Sequence, residues 1–429
     1  CIRDSCGRDW LGRVIPTDKA HSRYRRAREW GPVAVTPMAE KRCVLFAYGF
    51  RPLFLLAGLY AAGSIAAWVW LFPRGATSMS SLVPQLWHGH EMIFGFIAAA
   101  IAGFMLTAVP SWTGDRGFAG RPLIVLTALW LAGRLAFGIG DALPIELLIT
   151  SELLFVPGVI IVLAPSIMRT SNRNWPLLLV LFAFWCGDVV FAYAALSGQS
   201  VLAGTALRGS LDVVLILITI IGGRIIPAFT GNALRARGAV APMRSYRSLE
   251  LAVIALTTAY VVADIASPFG KVTGAIAATA ALTHFFRLSG WHGLRSWREP
   301  IVWILHAGYA WLPIGLTLKA VFVFTGASWA AHWQHALGAG AAGTMIMAVM
   351  TRASLGHTGR PLRVSRLVVV AYAVLIASVI LRVFGAPVLQ LKYGSTITTA
   401  GTLWILAFLL YSSVYAPILL RPRADGKPG

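Results

Sequence analysis

Two apolar stretches of this chain each begin with side chains that can ligate a metal ion. These side chains belong to His88, His90, Glu91, His332 and His335. Uncharged runs follow them over 92–112 and 336–350. Because an ionisable side chain costs roughly 2.5–3.5 kcal/mol to insert at the centre of a membrane helix, such residues usually mark a ligand, a proton path or a buried partner. Two helices headed by histidine therefore indicate a bound metal or haem.

The composition identifies the class of protein that must position these side chains. Hydrophobic residues make up 57% of the chain and charged residues 12%, and the mean hydropathy is +0.72. These values exclude a soluble globular protein of this length. Since a helix needs about 20 mainly apolar residues to cross a bilayer, we predict an all-α polytopic membrane protein with twelve spans. The spans lie at 46–72, 87–112, 122–140, 143–167, 174–196, 201–227, 248–267, 269–289, 300–325, 332–352, 364–385 and 396–420.

The arginines predict the orientation of these spans. The chain carries a net charge of +21, but most arginines between the spans fall in alternate loops. These are Arg116, Arg121, Arg169, Arg173, Arg235, Arg237, Arg244, Arg247, Arg295, Arg298, Arg360 and Arg363. By the positive-inside bias, both termini are predicted to be cytoplasmic, and the alternation fits an even number of spans. The basic excess thus reflects topology, and no nucleic-acid partner is predicted.

The chain divides into three predicted regions. Residues 1–45 are basic and lack a long apolar run, which predicts either a disordered cytoplasmic tail or an extension upstream of the true start. Residues 46–420 form the membrane domain, and 421–429 form a cytoplasmic tail. The four cysteines contain no C-x-x-C pair, so neither a disulfide framework nor a thiolate metal site is indicated.

Internal repetition suggests how the spans are grouped. The second and sixth spans end in similar segments, Pro110–Gly114 and Pro227–Gly231, and Gly120–Leu123 after the second span recurs as Gly359–Leu362 after the tenth. The period is four helices, which predicts three four-helix units. Chance similarity among helix ends is the alternative interpretation.

Several motifs, in order along the chain, resemble the NnrS family from about Phe46 to the last span. They are Phe46–Phe54, Trp87–Met92, Gly222–Asn232, Met350–Arg352 and His357–Pro361. The resemblance implies a bacterial inner-membrane protein that contains haem and copper and serves nitric oxide metabolism and resistance to nitrosative stress. The four-helix period is also similar to the three helix arcs of the haem-copper oxidase main subunit, which is an analogy of fold only.

The outer histidines can be assigned roles within such a site. A six-coordinate haem takes two imidazoles on opposite faces of the macrocycle. We predict one of His88 or His90 with His335 as the axial pair, since His88 and His90 cannot both face one iron from a regular helix. The other one then binds a second metal, such as copper, or orients a ligand. His332 and Glu91 complete the predicted cofactor-binding set. The expected haem is of the b type, because no C-x-x-C-H motif is present.

Other polar residues lie at different predicted depths. His306 is a weaker metal candidate near the inner face. The cytoplasmic ends of the first, sixth and tenth spans hold Arg51, Arg224 and Arg352, which could pair with haem propionates or cap helix C-termini. Capping fits their depth better if the haem lies near the outer face. Intramembrane charges include Arg208 and Asp212, predicted to neutralise each other at i, i+4, and Arg134, Glu152, Asp188 and Lys319, which could form a proton route or ion pairs.

Two functions from different classes follow. The first is a haem-binding metalloprotein of the bilayer, with copper as a second candidate metal, that meets nitric oxide or a related small molecule and an unidentified electron donor. The second is a secondary transporter of a small anion or metal complex that uses intramembrane histidines and charges. A bound chromophore would distinguish them. Turnover and oligomeric state are not readable from the sequence.

Overall fold

The computed structural model describes residues 44–71, 82–139, 143–239 and 243–427. All but the last two residues of the segment predicted as a basic tail, 1–45, lie outside this part of the chain. Within the described ranges the regular structure is helical throughout. The chain is thus a polytopic helical membrane protein, as the composition predicts.

Eleven helices in the described part are long and apolar enough to cross a membrane, and a twelfth stands in the eighth position. We number them α1 to α12 in chain order. They are Phe50–Trp70, Pro84–Thr113, Arg121–Gly138, Glu146–Arg169, Pro176–Leu196, Ser200–Ala236, Arg247–Ala266, Lys271–Ser289, Pro300–Thr325, Ser328–His357, Arg366–Phe384 and Tyr393–Leu420. Each corresponds to one predicted span.

The α8 helix is less apolar than the others because its buried face carries polar groups. His284 and Arg287 are almost completely buried there, whereas Leu282 on the opposite side is 70% exposed. Small residues such as Ala277 and Ala280 let α8 pack closely between α7 and α9. Its apolar side chains therefore face outward, as expected for a helix whose surroundings are lipid.

Three helices spaced four apart, α2, α6 and α10, line one apolar cavity. They are 30, 37 and 30 residues long, which makes them the longest spans among the described residues. The cavity has a volume of about 70 Å³ and is lined by residues that include Ile97, Phe104, Leu217, Ile221, Met345 and Val349. This shared position agrees with the predicted period of four helices. Gly120 and Gly359, in the recurring segments after α2 and α10, both have a φ of +69°.

Two π-helical segments interrupt α2 and α10 at matching places. They span Glu91–Ile97 and Ala336–Gly343, and each begins directly after a histidine, His90 or His335. A π turn contains an extra residue, so it rotates the side chains on one side of it relative to those on the other. Such segments are rare and frequently occur at functional sites. The histidines at the start of both helices therefore lie directly beside these π segments.

Candidate metal centre

The imidazole rings of His88 and His335 lie close together, with nearly parallel planes, between α2 and α10. Their ring centres are 6.4 Å apart and their planes differ by only 10°. With a metal–nitrogen distance of about 2.0 Å and about 1.2 Å from nitrogen to ring centre, two imidazoles on opposite sides of one metal have ring centres about 6.3 Å apart. The observed separation therefore suits two ligands of a single ion. No hydrogen bond to either ring comes from the part of the chain that the structure describes, so their nitrogens remain available.

Neighbouring residues fix this pair and extend it into a group. The Trp68 indole stacks on His88, with ring centres 4.6 Å apart. The His332 ring lies 6.3 Å from that of His335 and nearly perpendicular to it, and its Nδ1 is 3.2 Å from the Val383 carbonyl oxygen. We call His88, His332 and His335 the histidine group. Two of its members come from α10 and one from α2, as the sequence indicates.

A cation that sequence reasoning missed lies beside the histidine group. Arg382, near the end of α11, is close enough to influence all three histidines electrostatically and hydrogen-bonds to Tyr393. Its Nη1 has no hydrogen-bond partner within the described ranges. A guanidinium in this place favours an anionic ligand such as a carboxylate. The available signal was an arginine, Arg382, that follows fifteen uncharged residues of the apolar run 364–385.

His90 points away from the histidine group and into a separate buried site. Its ring lies between those of Phe137 and Phe191, at 4.0 and 4.7 Å between ring centres. Of the two histidines left open for pairing with His335, the structure thus brings His88 to it. His90 and Glu91 instead join residues of α3, α4 and α5.

This separate site, the first ionic group, consists of His90, Glu91, Arg134, Glu152 and Asp188. Arg134 Nη1 donates to Glu91 Oε2 at 2.8 Å, and Arg134 Nη2 donates to both oxygens of Glu152. His90, Glu152 and Asp188 present ligand atoms within 4.8 Å of one another. The sequence signalled Arg134, Glu152 and Asp188 as intramembrane charges but not which residues meet.

A second ionic group lies between α6, α7 and α9 and consists of Arg208, Asp212, Asp264 and Lys319. Lys319 Nζ is 2.5 Å from Asp264 Oδ1, and Arg208 Nε is 3.7 Å from Asp264 Oδ2. Asp212 is buried, and its oxygens accept no hydrogen bond from described residues. The predicted Arg208–Asp212 pair is therefore wrong, because the Arg208 guanidinium reaches across to α7 instead of along its own helix.

The remaining predicted site residues lie away from the histidine group. His306 stands near the start of α9, roughly 28 Å of helix from its end at Thr325. Its Nε2 is 2.8 Å from the hydroxyl oxygen of Thr230, and its ring faces Trp291. These contacts do not include any other predicted metal ligand.

The three arginines of the recurring motifs make local contacts. Arg51 donates to the carbonyl oxygens of Leu419 and Arg421 at 2.7 and 2.9 Å, at the C-terminal end of α12. Arg224 donates to Asn174 Oδ1 at 2.5 Å, and the Arg352 guanidinium lies over the Phe229 ring at 3.6 Å. Arg51 thus occupies a capping position of the kind predicted.

Comparison with known proteins identifies the family. The family model described as NnrS protein matches residues 44–423, nearly the whole chain. A search of curated proteins gave no match. The match covers the histidine group, both ionic groups and all twelve helices. The chain therefore belongs to the NnrS family.

Proposed function

We propose that this chain is a haem-binding membrane metalloprotein of nitric oxide metabolism or resistance to nitrosative stress, with His88 and His335 as axial ligands. Family membership supports the association with nitric oxide and with haem or metal. The observation that carries the assignment of ligands is the parallel pair of imidazoles, 6.4 Å apart. Both helices that supply them widen into π segments at this place.

The surroundings of the pair fit a haem. Trp68 stacks on the ring of His88, and Arg382 offers a charge-assisted partner for a propionate carboxylate. A bound haem b would supply one-electron redox chemistry, whereas the protein supplies ligation, burial and local charge. Copper is a second candidate occupant, because neutral imidazole is a good copper ligand and His332 provides a third ring.

The proposed setting is the bacterial inner membrane with both termini in the cytoplasm. This orientation places the histidine group near the outer face, because α2 and α10 begin there. The proposed partners are nitric oxide or a related small molecule and an electron donor. Arg51, Arg224 and Arg352 then lie at the other face and do not touch the haem, and Arg51 caps the C-terminal end of α12.

Visible spectra of the purified protein test the proposal. Oxidised and dithionite-reduced samples, with pyridine haemochromogen and copper assays, should give a Soret band, sharp reduced α and β bands and a defined haem content. His88→Ala and His335→Ala should each lose most of the haem while inserting normally. His306→Ala is the matched control and should retain it.

Two results would overturn the assignment. Full haem content in both His88→Ala and His335→Ala would reject these ligands. A colourless wild-type protein, expressed with ample haem and free of copper, would reject the metalloprotein and favour the transporter of a small anion or metal complex.

A further inference from the structure

We propose that the first ionic group binds a divalent metal ion, with His90 Nε2, Glu152 and Asp188 as its ligands. This site is separate from the histidine group and does not depend on the proposed haem. It lies between α2, α4 and α5, and Glu91 and Arg134 form its outer layer.

The His90 ring directs an unprotonated nitrogen, Nε2, towards Glu152 and Asp188. His90 Nδ1 is 2.8 Å from Glu91 Oε1. An ionised carboxylate can only accept, so Nδ1 carries the hydrogen and Nε2 is left as an unprotonated acceptor. A carboxylate that orients a histidine in this way is the common outer partner of a metal-bound imidazole.

The unprotonated nitrogen faces two carboxylate oxygens. His90 Nε2 is 3.4 Å from Glu152 Oε1 and 3.5 Å from Asp188 Oδ1. Neither His90 Nε2 nor Asp188 Oδ1 has a hydrogen-bond partner among the described residues, and both side chains are almost fully buried. Three acceptors that point at one another repel unless something positive lies between them. Two ligand atoms about 2.1 Å from one ion at a tetrahedral angle are about 3.4 Å apart, which matches the observed spacing.

The charges of the group also call for a cation. With Glu91, Glu152 and Asp188 ionised, the single guanidinium of Arg134 leaves two negative charges in a buried, membrane-embedded site. Uncompensated buried charge is strongly unfavourable. One divalent ion would neutralise this excess.

Packing holds the imidazole in place for such an ion. Phe137 and Phe191 stack on the two sides of the His90 ring, with interplanar angles of 12° and 25°. The ring therefore cannot turn its Nε2 elsewhere without disrupting both contacts. A ligand set that is fixed before binding favours a specific site.

The donor atoms indicate the class of metal. One imidazole and two carboxylates suit borderline and hard divalent ions such as Zn²⁺, Fe²⁺ or Mn²⁺, and lack the thiolate or thioether that favours Cu⁺. Zn²⁺ has no redox chemistry and serves as the probe.

Zinc content of the full-length, detergent-purified protein tests the site. Protein is stripped with a chelator, dialysed against Zn²⁺ and then against buffer, and its zinc is measured by mass spectrometry. We expect one zinc per chain at this site. Asp188→Asn should lower zinc affinity at least tenfold, and His90→Gln should do the same. Asp212→Asn, a buried aspartate of the second ionic group, is the matched control and should keep the zinc.

The same measurement in a His335→Ala background separates this site from the histidine group. There the haem should be lost while the zinc is retained, so failure of the proposed function and failure of this site give different results. Zinc should also raise the midpoint of thermal unfolding of the wild type but not of Asp188→Asn.

Asp188→Asn is nearly isosteric and decides the matter even if His90→Gln fails to fold. Zinc content and the thermal shift both unchanged in Asp188→Asn would overturn the proposal. A folded wild-type protein that binds no zinc, iron or manganese would overturn it as well. That result would indicate that His90 Nε2 binds a proton in place of a metal ion.

Discussion

The two buried ionic groups of this bundle contain similar residues but balance their charges differently. In the first ionic group, three carboxylates share one guanidinium, Arg134. In the second, Asp212 and Asp264 are matched by Lys319 and Arg208. The first group has an excess of two negative charges when ionised, whereas the second is neutral by itself.

Both groups begin from equivalent positions of the repeat. Glu91 on α2 and Arg208 on α6 stand at the same distance in sequence before Pro110 and Pro227. Each reaches a partner of opposite charge on the next helix, Arg134 on α3 or Asp264 on α7. A buried ion pair therefore occurs at the same position in both units. The first helix of the unit supplies the negative charge in one, Glu91, and the positive charge in the other, Arg208. The first ionic group differs in that His90 on α2, Glu152 on α4 and Asp188 on α5 join the ion pair, and the proposed cation site depends on these three residues.

The largest effect is expected when the neutral group is broken. Lys319→Met removes the fully buried ammonium and leaves Asp264 and Asp212 with only the more distant Arg208. Loss of one partner from a buried ion pair costs about 3–5 kcal/mol, so the free energy of unfolding in detergent should fall by that amount. Thermal unfolding of the purified variant measures it. A variant as stable as wild type would show that this group does not need its own charge balance.

A second substitution should restore part of that loss. In the double variant Lys319→Met with Asp264→Asn, the uncompensated carboxylate is removed together with its cation. A double-mutant cycle should give a coupling energy of about 0.5–3 kcal/mol in favour of the pair. Additive losses in the two single variants would mean that Lys319 stabilises the fold by packing on Trp333, 3.8 Å from its ring centre, and not by charge.

Sequence reasoning reached the architecture because its signals are local. Apolar length predicts a span wherever it occurs, and the matched ends of α2 and α6 revealed the period of four. The eighth helix, Lys271–Ser289, shows that hydropathy alone is an incomplete criterion for a span. Its buried polar side chains lower its mean hydropathy, but the helix still packs in the bundle.

The site was less predictable because its contacts join distant segments. His88 and His90 are two residues apart and so face different directions, but nothing local says which one meets His335. The i, i+4 spacing of Arg208 and Asp212 also predicted the wrong partner, since the Arg208 guanidinium lies nearer to Asp264 on α7. The π segments beside these histidines, Glu91–Ile97 and Ala336–Gly343, carry no clear sequence signal either.

A smaller effect of opposite sign is expected in the first ionic group. In metal-free protein, Asp188→Asn removes an unpaired buried charge and places an amide donor near the free Nε2 of His90. A hydrogen bond there is worth about 1 kcal/mol, so the stripped variant should be more stable than stripped wild type by about that amount. Thermal unfolding of chelator-treated samples measures the difference. Marked destabilisation would mean that Asp188 is already paired in the metal-free state.

The smallest effect is expected for the second cation of the neutral group. Arg208 Nε lies 3.7 Å from Asp264, and its side chain is 20% exposed, so water can replace part of the interaction. Its Nη2 also donates to the Thr205 hydroxyl oxygen at 3.0 Å. Arg208→Met should therefore lower the free energy of unfolding by about 1 kcal/mol or less, well below Lys319→Met. Equal losses in the two variants, measured side by side by thermal unfolding, would show that both cations are needed equally and that the distances do not rank them.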